Sequence, residues 1–157
     1  MDVYRYQTPE GFDDLLMCAD GDALTGLRFV ETFSETSQSS IMPPVISDTF
    51  RWLDIYFSGR QPDFTPVFLM NDLTPFRKAV LDIVCEIPFG RTMTYGEVAK
   101  RLGIKSAQAV GGAVGWNPIC LIVPCHRVMG TNGKLTGYGG GLHNKIALLK
   151  HEGSCLI

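Results

Sequence analysis

The chain has 157 residues, 45% of them hydrophobic and 19% charged, with a formal net charge of −2. That balance describes one ordinary globular domain or two small ones with a real core, and no apolar run approaches the roughly 20 residues a membrane helix needs. Five cysteines without Cys-x-x-Cys spacing and the N-terminal run Met1-Asp2-Val3-Tyr4-Arg5 argue against a disulfide framework and a secretory leader, and ligand spacing around the three His residues argues against zinc.

The first half reads as strand-rich. Val3 to Gln7 alternates in polarity, and Leu15 to Cys18, the turn Asp20-Gly21-Asp22 and Leu24 to Val30 read as a hairpin. Glu31 to Ser40 is polar and rich in Ser and Thr, which predicts a loop. Ser47 is placed to cap a helix running to about Phe57, with Phe50, Leu53 and Phe57 at apolar spacing. Gly59 to Pro66 breaks that pattern, and Val67 to Met70 reads as one more short strand.

The second half reads as helical. Thr74 precedes Pro75 at a helix start, and Phe76, Val80, Ile83 and Val84 form one stripe. Pro88-Phe89-Gly90 ends it. Thr94-Tyr95-Gly96-Glu97 matches a capping box opening a helix to Leu102. After the turn Gly103-Ile104-Lys105, Ser106 caps a helix of small residues to about Val114, so the pair forms a helix-turn-helix candidate. Lys134 to Gly141 reads as a wing and glycine-rich loop without Rossmann or P-loop spacing, and Asn144 to His151 as a last helix followed by Glu152. These elements predict an α+β/α/β fold class: a small strand-rich N-terminal domain (a sheet with a helix, 1–72) and a C-terminal helical winged helix-turn-helix domain (73–157).

Charge divides the same way. Residues 1–73 carry four Arg against twelve Asp and Glu, a net −8, while residues 74–157 carry ten Lys and Arg against four acidic residues, a net +6. A basic half points to a polyanion, and duplex DNA fits it.

The chemistry concentrates in Trp116-Asn117-Pro118-Ile119-Cys120-Leu121-Ile122-Val123-Pro124-Cys125-His126-Arg127. An apolar approach, a rigid proline, a thiol and an imidazole describe a cysteine fixed at the end of a buried strand beside a possible base. On such a strand, the odd spacing of Cys120 and Cys125 sends them to opposite sides unless the chain bends at Pro124, which makes Cys120 a packing residue rather than a redox partner.

With Asn117-Pro118, Pro124-Cys125-His126-Arg127-Val128, Gly137-Tyr138 and Gly140-Gly141-Leu142 in this order, the chain resembles the O6-alkylguanine-DNA alkyltransferases. Tyr95-Gly96-Glu97-Val98-Ala99, Ala109-Val110-Gly111 and His151-Glu152-Gly153 extend the match. The resemblance is dense from Thr74 to Gly153. It is looser over residues 1–70, where the hairpin and Tyr56-Phe57-Ser58-Gly59 carry it.

The resemblance implies a cofactor-free, metal-free suicide repair protein. It would bind double-stranded DNA containing O6-alkylguanine through the minor groove, flip the base out and take the alkyl group onto its own cysteine, once and irreversibly. By the same resemblance Cys125 is the acceptor, His126 the base through a water, Glu152 its orienting acid, Asn117 a brace of the turn and Tyr95 a donor to the departing guanine. Val128, Gly139 and Gly140, the Tyr138 ring, Val114 and Trp116 would form the guanine pocket. Thr94, Tyr95, Ser106, Ala107, Gln108, Ala109 and Gly112 would meet DNA. Arg127 is assigned to a buried ion pair or backbone brace. The implied protein is monomeric, needs no protein partner or membrane, and works in the cytoplasm, or the nucleus of a eukaryote.

Gln108 departs from the pattern, since the family often has arginine there. Three rivals exist: a damage-recognition protein without transfer, a cysteine hydrolase built on Cys125, His126 and Glu152, and a DNA-binding regulator with an inert thiol. Singly, Tyr95 could be a packing ring, Glu152 a solvated helix end and Asn117 a turn former; their joint order favours the active site.

Overall fold

A computed structural model describes residues 3–31, 41–133 and 138–154. Three antiparallel strands open it in the order β1-β2-β3: β1 (Val3–Tyr6), β2 (Asp14–Asp20) and β3 (Ala23–Val30). Register sets Tyr4 against Met17 and Met17 against Leu27, then Tyr6 against Leu15 and Leu15 against Phe29. Period-2 alternation sends these side chains to one face, and all six are buried. Helix α1 (Pro44–Phe57) packs on β2 and β3 and buries Val45, Ile46, Trp52, Leu53 and Tyr56. It begins three residues before the expected cap. Pro43 holds the capping position and Pro44 gives up an N–H that the first turn leaves unpaired anyway, so Ser47 lies inside the helix.

The outer edge of β3 is covered by two returning segments rather than a fourth strand. Residues 67–70 make one bridge, Phe68 beside Leu24, with Leu24 N donating to Val67 O at 2.8 Å and Leu69 N to Leu24 O at 2.9 Å. The run before Cys125 makes the second, at Leu27 and Ile119. These two bridges occupy backbone groups of Leu24 and Leu27 on that edge.

Helix α2 (Pro75–Cys85) starts as read, with Thr74 Oγ1 accepting from Arg77 N at 3.2 Å. Its inner face is Val80, Leu81, Ile83 and Val84; Phe76, expected in the stripe, is exposed because it sits in the first turn on the outer side. The capping box is complete: Thr94 Oγ1 accepts from Glu97 N at 3.0 Å and Glu97 Oε1 from Thr94 N at 3.1 Å, opening α3 (Tyr95–Leu102). Gly103, at φ +72°, takes the left-handed conformation that ends α3, and Ser106 Oγ caps α4 (Ala107–Trp116). Helices α3 and α4 pack on one another and on α2. Two short parallel strands, β4 (Met93–Thr94) and β5 (Val128–Met129), tie the front of α3 to the residues after Cys125, and α5 (Leu142–His151) closes the described chain.

Except for Glu31, the loop expected to Ser40 lies outside the described residues, as do 134–137 of the expected wing. Among the described residues, no helix is long and apolar enough to cross a membrane.

Candidate active site

The segment leading to Cys125 is a coiled turn, not the buried strand expected. Leu121 stands at φ +68°, a left-handed conformation that a branched residue adopts at a cost of about 1–3 kcal/mol. Its side chain is almost wholly buried, and the backbone folds on itself through Ile122 N to Cys120 O at 2.8 Å, Val123 N to Ile119 O at 3.1 Å and Cys125 N to Val123 O at 2.8 Å. One side chain replaces the missing sheet partners. Asn117 Nδ2 faces Ile119 O at 3.3 Å and Val123 O at 3.0 Å, and Asn117 Oδ1 accepts from Ile119 N at 3.0 Å. The same Nδ2 reaches Cys125 Sγ at 3.1 Å, so the group that holds the turn also holds the thiol. Cys125, His126 and Arg127 then form a single 3-10 turn, all buried.

This turn corrects the reading of Cys120. Strand parity does not apply across Leu121, and Cys120 and Cys125 line the same cavity.

His126 is outside the cavity lining, and its Nε2 edge belongs to a buried cluster around Glu152, which caps α5. His126 Nε2 lies 2.7 Å from Glu152 Oε2. Arg127 grips the same carboxylate, Nε to Oε1 at 2.8 Å and Nη2 to Oε2 at 3.0 Å, and its Nη1 donates to Ile87 O at 2.8 Å. Tyr56 on α1 donates its hydroxyl to Glu152 Oε2 at 2.5 Å, and Gly90 N adds a longer bond at 3.3 Å. One carboxylate therefore joins α1, the loop before β4, the cysteine turn and α5.

Burial opposes the charge on Glu152, but hydrogen bonds from His126 and Arg127 and the Arg127 charge hold its carboxyl well below the usual carboxylate range. Burial lowers His126 from its ordinary value despite Glu152, so the ring is neutral near pH 7. A neutral ring donating Nε2–H to a carboxylate leaves Nδ1 as an acceptor, and Nδ1 is buried with no partner among the described residues. Cys125 is lowered to about 7, first by the Cys120 thiol and then, against burial, by Asn117, the Tyr138 hydroxyl and the charge of Lys145. Lys145 is fully buried on α5 and donates from Nζ to Val128 O at 2.7 Å.

A cavity of about 370 Å³ lies over Cys125. Of the residues singled out from sequence, Tyr95, Val114, Asn117, Cys125, Tyr138, Gly139 and Gly140 line it. Gly140 has no room for more: a Cβ there would lie 2.7 Å from the Tyr138 ring and 2.9 Å from Phe29. Val128 and Trp116 stand outside the lining. Val128 is wholly buried in β5, and the Trp116 ring lies under the Arg77 guanidinium at 4.4 Å. Thr94 and Ser106 spend their side-chain oxygens on helix caps. Ala107, Gln108, Ala109 and Gly112 form an exposed stripe on α4 beside the cavity mouth, and a Cβ at Gly112 would meet nothing within 4 Å.

Sequence reading missed Gly26, Arg28 and Phe29 of β3, which form one wall, as well as Tyr56 and Lys145. Tyr56 lies in a stretch that carries the resemblance but had no site role there, and each of these residues reaches the site only through tertiary folding. Among the described residues, no group of three or more His, Cys, Asp or Glu could hold a metal ion.

Two family models match the chain. One, described as the DNA binding domain of 6-O-methylguanine DNA methyltransferase, spans residues 75–154; the other, its ribonuclease-like domain, spans residues 5–69. The chain is 54% identical over 106 residues to a methylated-DNA--protein-cysteine methyltransferase of Methanosarcina acetivorans, covering 67% of each. It is 42% identical over 143 residues to that of Mycobacterium tuberculosis H37Rv, covering 89% of this chain and 86% of the relative. Its fold is similar to the crystal structure of Mycobacterium tuberculosis OGT in complex with DNA, with a TM-score of 0.81 and 39% identity over 96% of this chain and 91% of that one.

Proposed function

The chain belongs to the 6-O-methylguanine DNA methyltransferase family, and from that premise we propose that it repairs duplex DNA by one irreversible transfer of an alkyl group from O6 of an alkylguanine to Sγ of Cys125. The observation that carries this reading is the thiol itself. It is buried, lowered toward neutrality, held by Asn117 Nδ2 at 3.1 Å, and open to a cavity with room for a purine.

A base stacked in a duplex cannot bring O6 to a thiol at the bottom of a cavity, so the guanine must be flipped, at a cost of a few kcal/mol. The exposed stripe of Ala107, Gln108, Ala109 and Gly112, with Thr94, Tyr95 and Ser106 at the helix starts, is the surface that meets the minor groove. The flipped base enters the cavity against Tyr138, Val114, Gly139 and Gly140. Val128 and Trp116 act behind this wall, through the backbone held by Lys145 and through the packing of α4 on α2.

In the transfer, Cys125 Sγ attacks the alkyl carbon as that carbon's bond to O6 breaks. The electron pair leaves on guanine, and Tyr95 supplies the proton or hydrogen bond that makes guanine a better leaving group. His126 takes the thiol proton at Nδ1 through one bridging water, and Glu152 fixes the tautomer and balances the charge. The thioether that forms has no route back, so each molecule acts once. We place the domain division at residues 72 and 73, and take the protein to act as a monomer, in the cytoplasm or a eukaryotic nucleus.

Free O6-benzylguanine tests this reading. One benzyl group on the Cys125 peptide, with one equivalent of guanine released and no further turnover, is the expected result. Repeated turnover of an ester or amide with Cys125 unmodified supports the hydrolase instead, and no reaction with either supports a non-transferring DNA binder.

A further inference from the structure

Cys120 neither takes the alkyl group nor moves a proton in the proposed transfer, yet it neighbours the acceptor and helps lower its thiol. Both residues line one cavity, the Cys120 thiol is the first influence that lowers the Cys125 thiol, and both residues are buried, Cys120 at 7% exposure and Cys125 at 4%. In an extended strand, residues five apart are about 16 Å apart, too far for a disulfide, which needs Cα atoms within roughly 7 Å. The fold-back at Leu121 and its turn hydrogen bonds shorten that separation. The other described cysteines, Cys18 and Cys85, do not line this cavity.

We infer that Cys120 and Cys125 form a peroxide-oxidisable dithiol, in which Cys120 traps an oxidised Cys125 as a disulfide and keeps the alkyl acceptor recoverable. The role assigned to this disulfide rests on Cys125 being the acceptor; its formation does not. The Cys125 thiolate attacks one oxygen of a hydroperoxide, the O–O bond breaks, and the other oxygen leaves as hydroxide or alkoxide, giving Cys125 sulfenic acid. Cys120 gives its proton to that leaving oxygen. Its sulfur attacks the Cys125 sulfur, the S–O bond breaks and the hydroxyl departs as water once protonated by solvent. Two electrons pass from the sulfur pair to the peroxide, and the net products are a disulfide, water and an alcohol or second water. A small dithiol reverses the change by exchange. Without a neighbouring thiol, further peroxide carries sulfenic acid to sulfinic acid, which thiols do not reduce.

This neighbour also competes with transfer. A disulfide at Cys125 has no thiolate to offer, so an oxidised molecule ignores alkylguanine until it is reduced.

The test treats the full chain with hydrogen peroxide, maps its peptides, then adds dithiothreitol and measures methyl transfer from an O6-methylguanine duplex. The expected product is lighter by two hydrogens, carries a Cys120–Cys125 bridge, and after reduction regains nearly all the transfer shown by untreated protein. Cys120→Ala, compared with its own untreated form, is expected to gain two oxygens at Cys125 under the same dose and to lose more than tenfold of its transfer beyond recovery. A bridge to another cysteine, sulfinic acid at Cys125 in the unaltered chain, or equal recovery by Cys120→Ala overturns the inference. Failure of untreated protein to accept methyl overturns the proposed function and leaves the bridge result readable on its own.

Discussion

Glu152 Oε2 and His126 Nε2 meet at 2.7 Å with neither side chain exposed, and the same carboxylate is shared with Arg127 and Tyr56. Glu152 thus stabilises the molecule and sets the tautomer of His126, and the two roles separate by mutation. Tyr56→Phe removes only the hydroxyl that links α1 to the site. It is expected to cost about 1.5–3 kcal/mol, the range for a hydrogen bond to a charged group. Glu152→Ala leaves the Arg127 guanidinium buried without its partner and is expected to cost about 3–5 kcal/mol. Urea midpoints measure both, and the double variant should fall short of their sum because the two changes remove one shared bond.

Stability should fall with acidity in two stages. His126 is held below its ordinary value, so below about pH 6.5 the unfolded chain binds a proton that the folded ring refuses. Glu152 is also held low, so its contribution is whole above about pH 4.3 and is lost as pH falls further. Both signs agree: stability is highest near neutrality, declines from about 6.5 and declines faster below about 4.3. Denaturant midpoints across pH 3–8 check this, and the first stage should flatten in His126→Asn. A midpoint level from pH 7 to 5 contradicts a neutral buried His126.

Alkyl transfer should follow the thiolate of Cys125, rising toward a plateau above about pH 7. Asn117→Ala removes the donor at 3.1 Å from Sγ, and is expected to move the midpoint of the rate profile up by about one unit. It also frees Ile119 N and Val123 O, so the variant should unfold earlier. A slower variant with an unshifted midpoint would confine Asn117 to the backbone.

Gln108 is exposed on α4. Gln108→Arg adds a cation to the face assigned to DNA, and should tighten binding to a damaged duplex and steepen the dependence of log K on log salt by about 0.9. Fluorescence anisotropy at several salt concentrations measures this. An unchanged slope contradicts that placement of α4.

Local chemistry was the legible part of this molecule. Thr74, Thr94 and Ser106 cap helices by contacts within three residues, and each signal was correct. The Pro124-Cys125-His126-Arg127 string is local too, and its thiol is the one that lines the cavity and is lowered to about 7. The path to that thiol was misread, because an apolar run satisfies a strand and a buried coil equally well, and no propensity announces a leucine at φ +68°. The α1 start was misplaced because Ser47 is a better cap by type than Pro43, while Pro44 fixes the start by backbone geometry. Arg28, Phe29 and Tyr56 could not be read, since they meet the site across long stretches of chain, 96 residues between Tyr56 and Glu152.

The most direct test is the intact mass of the protein after mixing with a duplex that carries one O6-methylguanine, followed by peptide mapping. One added methyl group on the peptide holding Cys125, formed stoichiometrically and never repeated, is the predicted result. An unchanged mass in a protein that binds the duplex tightly, or a methyl group on any other residue, contradicts it.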